Sequence, residues 1–121
     1  MRIEDREKIE SMVHTRKRAH RYFTERSPVY RKFMECEAET YVDAALGKRQ
    51  KELIAIGISL VINCESCMEW HIHEALKSGG TVEEILDAIG VGIEMGGGPA
   101  TVAARFAATV LEYYSSGGSH E

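Results

Sequence analysis

The sequence predicts an all-α fold, and three observations carry that reading. Aromatic residues make up only 7% of the chain and proline occurs twice, whereas Ala, Ile, Glu and Lys are plentiful, a mixture that favours helix over sheet. Start and stop signals for helices recur along the chain, at Ser27-Pro28, Gly79-Gly80, Thr81-Val-Glu-Glu84 and Gly98-Pro99. The one apolar run that periodicity alone would allow as a buried strand, Leu53 to Ile62, has no companion strands to pair with. At 121 residues the chain is expected to form one domain with a true hydrophobic core.

Residues 3 to about 24 read as a first helix, with Ile9, Met12, Val13, Tyr22 and Phe23 giving a weak apolar face. Ser27 as N-cap and Pro28 at the first position open a second helix, expected to run to about Ala45 and stop at Gly47. That helix should turn Val29, Phe33, Cys36 and Tyr41 inward, Cys36 as a small buried hydrophobe. From Lys48 to Ile62 the pattern is apolar on every side, which predicts a buried central helix covered all round. Asn63 is placed to end it and to cap the next, from Cys64 to about Ser78. The capping box Thr81-Val-Glu-Glu84 starts a helix to about Glu94, and Pro99 restarts a last one to about Tyr114. Residues 1–47 are thus N-terminal helices, 48–114 a core, and 115–121 a flexible tail. Gly90, Gly92, Ala100, Ala103, Ala104, Ala107 and Ala108 predict close helix contacts within or between subunits, and with the all-round apolar helix they favour an obligate oligomer.

The net charge of −4 is unevenly spread: residues 1–35 hold ten Lys/Arg against six Asp/Glu. The basic residues alternate with acids around the helix, as on a solvated face, and the acidic balance argues against nucleic acid as a partner. A basic arm lying across an acidic neighbouring subunit is the other reading. The opening MRIEDREKIE lacks the apolar stretch of a secretory signal, and Leu53–Ile62 is about half of a bilayer span. A cytoplasmic protein without a membrane partner is expected, and in that compartment a close Cys pair is catalytic or metal-binding before it is structural.

Chemistry concentrates between Glu52 and His71. Cys64, Cys67 and His71 are spaced i, i+3, i+7, so two sulfurs and an imidazole share one stripe of a helix. Glu52 joins them only if the helix carrying it packs alongside. A free thiol near pKa 8.5 is mostly protonated at neutral pH, and only the thiolate attacks. The helix N-terminus, His71 as base and Glu52 as its orienter each favour the thiolate. Two cysteines three apart on a helix can also close a disulfide, one attacking an oxidant and the other resolving the sulfenic acid.

Glu52, eleven residues, Cys64, two residues, Cys67, three residues, His71 resembles the motif of the AhpD-like alkylhydroperoxidases, within the carboxymuconolactone decarboxylase family. The likeness runs from about Lys48 to Tyr114 and includes the Gly-Gly before a Thr-capped helix and the Gly-Gly-Gly-Pro-Ala before the last one. It implies an all-helical fold, assembly into trimers or hexamers, and thiol-dependent reduction of hydroperoxides by a protein with no cofactor, whether flavin, haem or metal. By position it makes Glu52 and His71 the proton relay, Cys67 the peroxide-attacking thiol and Cys64 the resolving one, with an unidentified dithiol protein as reductant. Ser66 stands where the best-studied pattern has a histidine.

Other readings remain at this point. Cys64, Cys67 and His71 have the count of a three-ligand zinc site, though i, i+3, i+7 positions spread over about ten ångström of helix axis. Attachment of c-type haem is excluded because Met68, not histidine, follows the second cysteine. Lactone decarboxylation, the reaction in the family name, needs no dithiol. A non-enzymatic redox-sensing oligomer is a further class. His73 is expected at the surface and Trp70 in packing.

Overall fold

In a computed structural model, residues 1–116 are described, and they form six helices and no strand. These are α1 (Ile3–Arg26), α2 (Pro28–Thr40), α3 (Lys48–Val61), α4 (Glu65–Lys77), α5 (Val82–Gly96) and α6 (Gly98–Ser115). Helix α3 packs most extensively against α5 and α4, and α6 closes the group against α4 and α5. The α1–α2 hairpin reaches this core mainly through α1 on α6. Ile9, Ile56, Met68, Ile72, Ile85 and Val110 are fully buried at the centre. Each such side chain contributes about 1.5–3 kcal/mol relative to exposure.

The punctuation in the sequence acts locally as expected. The Ser27 hydroxyl accepts from Tyr30 N at 3.1 Å, with Pro28 at the first position of α2. The Thr81–Glu84 capping box is complete, each side chain bonded to the other's backbone N–H. Among the small residues, Gly92 is the one that sets a crossing. A Cβ on it would lie 2.7 Å from the Gly57 carbonyl oxygen, so α3 and α5 meet there backbone to backbone.

Several expectations are corrected. Helix α2 ends at Thr40 rather than near Ala45, and Gly47 caps the start of α3 instead of stopping α2. Val29, Phe33 and Cys36 are exposed, because α2 packs chiefly on α1 and no core element covers its outer face. Within one chain α3 is not covered all round: Ile54, Ile58 and Val61, with Ile62 at its C-cap, each leave about half or more of their surface open, the part the sequence reading assigns to neighbouring subunits. Cys64, not Asn63, is the N-cap of α4, while Asn63 makes the left-handed turn before it at φ 54°. Helix α6 includes Ser115, and residues 117–121 of the expected tail lie outside the described residues.

His73 is buried rather than at the surface, stacked on the Tyr114 ring with centroids 4.2 Å apart. Helix α4 is sandwiched between α3 and α6, so the face opposite its cysteines is interior as well. Glu69 on that face is fully buried and receives the Arg16 guanidinium and the Tyr114 hydroxyl. Burial and the neighbouring Glu69 push the Tyr114 phenol far above its ordinary value. No helix among the described residues is long and apolar enough to cross a membrane.

Candidate active site

The two halves of the motif are brought together by an antiparallel α3–α4 pair. The Cys64 N–H donates to the Ser59 carbonyl at 3.0 Å at the turn. Further along, Glu52 meets His71, and Lys48 meets Glu74. All four residues singled out in the sequence line or adjoin this one interface.

The buried Glu52 divides its two oxygens. Oε1 accepts from His71 Nδ1 at 2.7 Å, and Oε2 accepts from Lys48 Nζ at 2.8 Å. A carboxylate only accepts, so the imidazole hydrogen lies on Nδ1 and Nε2 is left as the basic nitrogen. Lys48 Nζ donates also to Glu74 Oε1 at 3.0 Å, and Lys77 approaches the other Glu74 oxygen at 3.4 Å. Burial alone would lower the Lys48 ammonium, but its hydrogen bonds to Glu52 and Glu74 outweigh that and hold it above its ordinary value. Burial likewise works to raise the Glu74 carboxyl, and Lys48 with Lys77 brings it down overall.

Cys64 and Cys67 are joined as a disulfide, their Cα atoms 5.2 Å apart. The Cys64 sulfur takes the place of a capping hydroxyl, accepting from Cys67 N at 3.1 Å at the positive end of α4. Cys67 and His71 together form part of the wall of an open trough of about 500 Å³, whose other wall is the outer face of α3. The Tyr41 ring closes over His71, centroids 5.3 Å apart. Burial, with the charges of Glu52 and Glu37, raises the Tyr41 phenol above its ordinary value, so it stays a hydrogen-bond donor. Among the described residues no three His, Cys, Asp or Glu side chains converge to hold a metal ion.

Three members of the site were not singled out in the sequence. Lys48 stands one turn before Glu52 and Glu74 three residues after His71, so helical spacing alone could have marked both. The contact from Tyr41, at the C-cap of α2, to His71 on α4 joins distant segments and leaves no local signal. Trp70 packs, as expected, beneath the Arg16 guanidinium at 4.8 Å.

Comparison with known proteins agrees with this architecture. The sequence profile of the carboxymuconolactone decarboxylase family matches residues 27–110. An uncharacterized protein of the cox locus of Paracoccus denitrificans is 39% identical over 80 residues, covering 66% of this chain and 72% of that protein. An uncharacterized protein of Cupriavidus necator is 34% identical over 74 residues, 61% of this chain and 63% of its own. Among solved structures, a carboxymuconolactone decarboxylase family protein from Legionella pneumophila superposes with a TM-score of 0.81 at 28% identity, covering 89% of this chain and 97% of its own. One from Thermotoga maritima, for which a part in antioxidative response has been suggested, gives a TM-score of 0.81 at 23% identity over 88% of this chain and 91% of its own.

Proposed function

The chain belongs to the carboxymuconolactone decarboxylase family, and from that premise we propose that it is a thiol-dependent hydroperoxide reductase. The observation that carries this reading is the Glu52–His71 contact at 2.7 Å beside a trough that Cys67 shares with His71. A buried carboxylate that fixes an imidazole next to a thiol is the arrangement of nucleophile, base and orienter. The suggested antioxidative role of the Thermotoga maritima relative points the same way.

In the reduced protein, His71 Nε2 takes the Cys67 proton, and the thiolate attacks the outer oxygen of a hydroperoxide. The O–O bond breaks, the alkoxide leaves and takes up a proton as the alcohol, and Cys67 becomes a sulfenic acid. The Cys64 thiolate then attacks the Cys67 sulfur, and the departing hydroxide is protonated to water. Two electrons have passed from the dithiol to the peroxide, leaving the disulfide seen here. An external dithiol returns it to the start. The Cys67 N–H bond to the Cys64 sulfur makes Cys64 the better leaving thiolate, so the reductant attacks Cys67.

The test is consumption of hydrogen peroxide and of an organic hydroperoxide with dithiothreitol, thioredoxin and lipoyl donors in parallel. Repeated turnover that is lost in Cys67→Ser is the expected result. A single stoichiometric oxidation under every donor would point instead to a redox sensor and reject the enzyme.

A further inference from the structure

The trough beside Cys67 has a directional character that the peroxidase reading does not require. Its α3 wall is Lys51, Ile54, Ala55, Ile58 and Ser59, continued by Ile62 at the C-cap. The Ser59 hydroxyl is turned back onto the Ile56 carbonyl, the isoleucines and Ala55 are apolar, and Lys51 is a cation at the end far from the cysteines. Lys51 Nζ donates to the Val42 carbonyl at 2.7 Å, and among the described residues it makes no ion pair. Lys48, one turn away on the same helix, is saturated by two carboxylates. An ammonium left without a counter-ion at one end of an open, largely apolar trough is a binding group for a carboxylate.

The helix ladder gives the spacing. Pairing Ser59 with Cys64 and Glu52 with His71 sets Cys67 level with Ile56. That is about 7.5 Å of helix rise beyond Lys51. The Lys51 side chain leans toward the N-terminus of α3 and adds several ångström. At a C–C bond of about 1.5 Å, an extended chain covers that separation in about eight to ten carbons. Resting on the peroxidase reading above, we infer that the trough takes acyl-chain hydroperoxides bearing a free carboxylate. Lys51 holds the carboxylate, and the peroxide group sits about eight to ten carbons along, opposite Cys67. Tyr41, whose phenol stays protonated, lines the same trough.

The experiment compares an eighteen-carbon fatty acid hydroperoxide oxidised at mid-chain with its methyl ester, both below the micellar range and with dithiothreitol as reductant. Wild type, Lys51→Gln and Lys51→Arg are each scored by the ratio of kcat/KM for acid over ester. The expected wild-type ratio is about tenfold, carried in KM, the size of one partly exposed charge-assisted hydrogen bond. It should fall toward one in Lys51→Gln and persist in Lys51→Arg. A wild-type ratio near one, or an undiminished ratio in Lys51→Gln, overturns the inference even while short peroxides turn over. A calorimetric titration of the oxidised protein with the unoxidised fatty acid separates the two readings. Lys51-dependent binding without turnover of any peroxide upholds the carboxylate site and rejects the peroxidase. Equal binding by wild type and Lys51→Gln rejects the site.

Discussion

Glu52 and His71 lie nineteen residues apart and on different helices, yet their side chains meet at 2.7 Å, with only a few per cent of the Glu52 side chain open to solvent. The contact is made possible by the antiparallel register of α3 and α4, set at the turn by Asn63 in its left-handed conformation. It fixes which imidazole nitrogen is basic, and so ties the chemistry of Cys67 to a residue it does not touch.

Replacing His71 with alanine should slow iodoacetamide labelling of reduced Cys67 near neutral pH by about a hundredfold or more, the usual range for a general base. The rate should recover at high pH, where the thiolate forms unaided. Glu52→Gln should give a milder version, since it removes the orienting charge and leaves the ring. Labelling followed against pH by mass spectrometry checks this, and an unchanged rate in His71→Ala would remove His71 from the relay. Faster labelling in that variant, with metal released, would instead revive the zinc reading.

Lys48 should matter to stability in a defined pH window. Its ammonium is held above the ordinary 10.5, so its contribution is complete below that pH and is lost as pH rises through the folded-state value. Glu74 is held below the ordinary 4.5, so its part is present above that pH and fades as pH falls. Lys48→Met should therefore cost roughly 1–3 kcal/mol across the neutral plateau, by leaving buried Glu52 with one partner fewer. The Tm difference from wild type should narrow at both extremes. Thermal unfolding at intervals from pH 4 to 11 gives the profile, and a difference independent of pH would contradict it.

Two glycines of α5 should respond in opposite directions. Gly92→Ala drives a methyl against the Gly57 carbonyl oxygen, backbone that cannot swing away. A loss of about 1–3 kcal/mol is expected, a Tm lowered by roughly 5–10 °C. A Cβ added at Gly90 would meet nothing within 4 Å, so Gly90→Ala should gain a few tenths to about 1 kcal/mol. Calorimetry of both variants decides it, and equal effects would mean that the α3–α5 crossing is not where the structure has it.

Mild peroxide should oxidise Cys64 and Cys67 as a pair while leaving Cys36 outside the cycle. Cys36 is exposed on α2 and belongs to no cluster with the other two. Peptide mapping should show a loss of two protons on the peptide that contains both, and Cys36→Ser should leave that yield unchanged. In Cys64→Ser, a sulfenic acid should persist on Cys67 and be captured by dimedone. An intermolecular Cys36 disulfide as the main product would refute this.

Light scattering at micromolar concentration should report a trimer or hexamer. The motive is the set of half-exposed isoleucines on α3, with Val91 and Met95 open beside them. Patches of this kind are seldom left bare on a monomer. A stable monomer would contradict the expectation.

Much of the fold was legible because its signals are local. Ser27-Pro28 and the Thr81–Glu84 box act over three or four residues, and both open helices where the sequence places them. The candidate site was legible in part for a related reason, since three of the four residues singled out lie on one turn-and-helix segment. What was lost depends on neighbours distant in sequence. Helical periodicity assigned the faces of α2 and α4, but which faces are covered is decided chiefly by α1 for α2 and by α6 for His73. Lys48 and Glu74 went unmarked, although helical spacing pairs each with a site residue, because a charged residue near a helix end looks solvated.

Ile54 and Ile58 face two ways. Besides the trough at Cys67, they line a second apolar groove of about 500 Å³ between α3 and α5, with Leu53, Val61, Val91 and Met95. Under the peroxidase reading, an occupant of that second groove rests on the same two side chains that line the substrate trough. If an occupant of one groove shifts these side chains, occupancy of the two is linked, with equal force in both directions. Should the groove be filled by another copy of the chain, apparent substrate affinity would change on dilution, and substrate in turn would shift the association equilibrium.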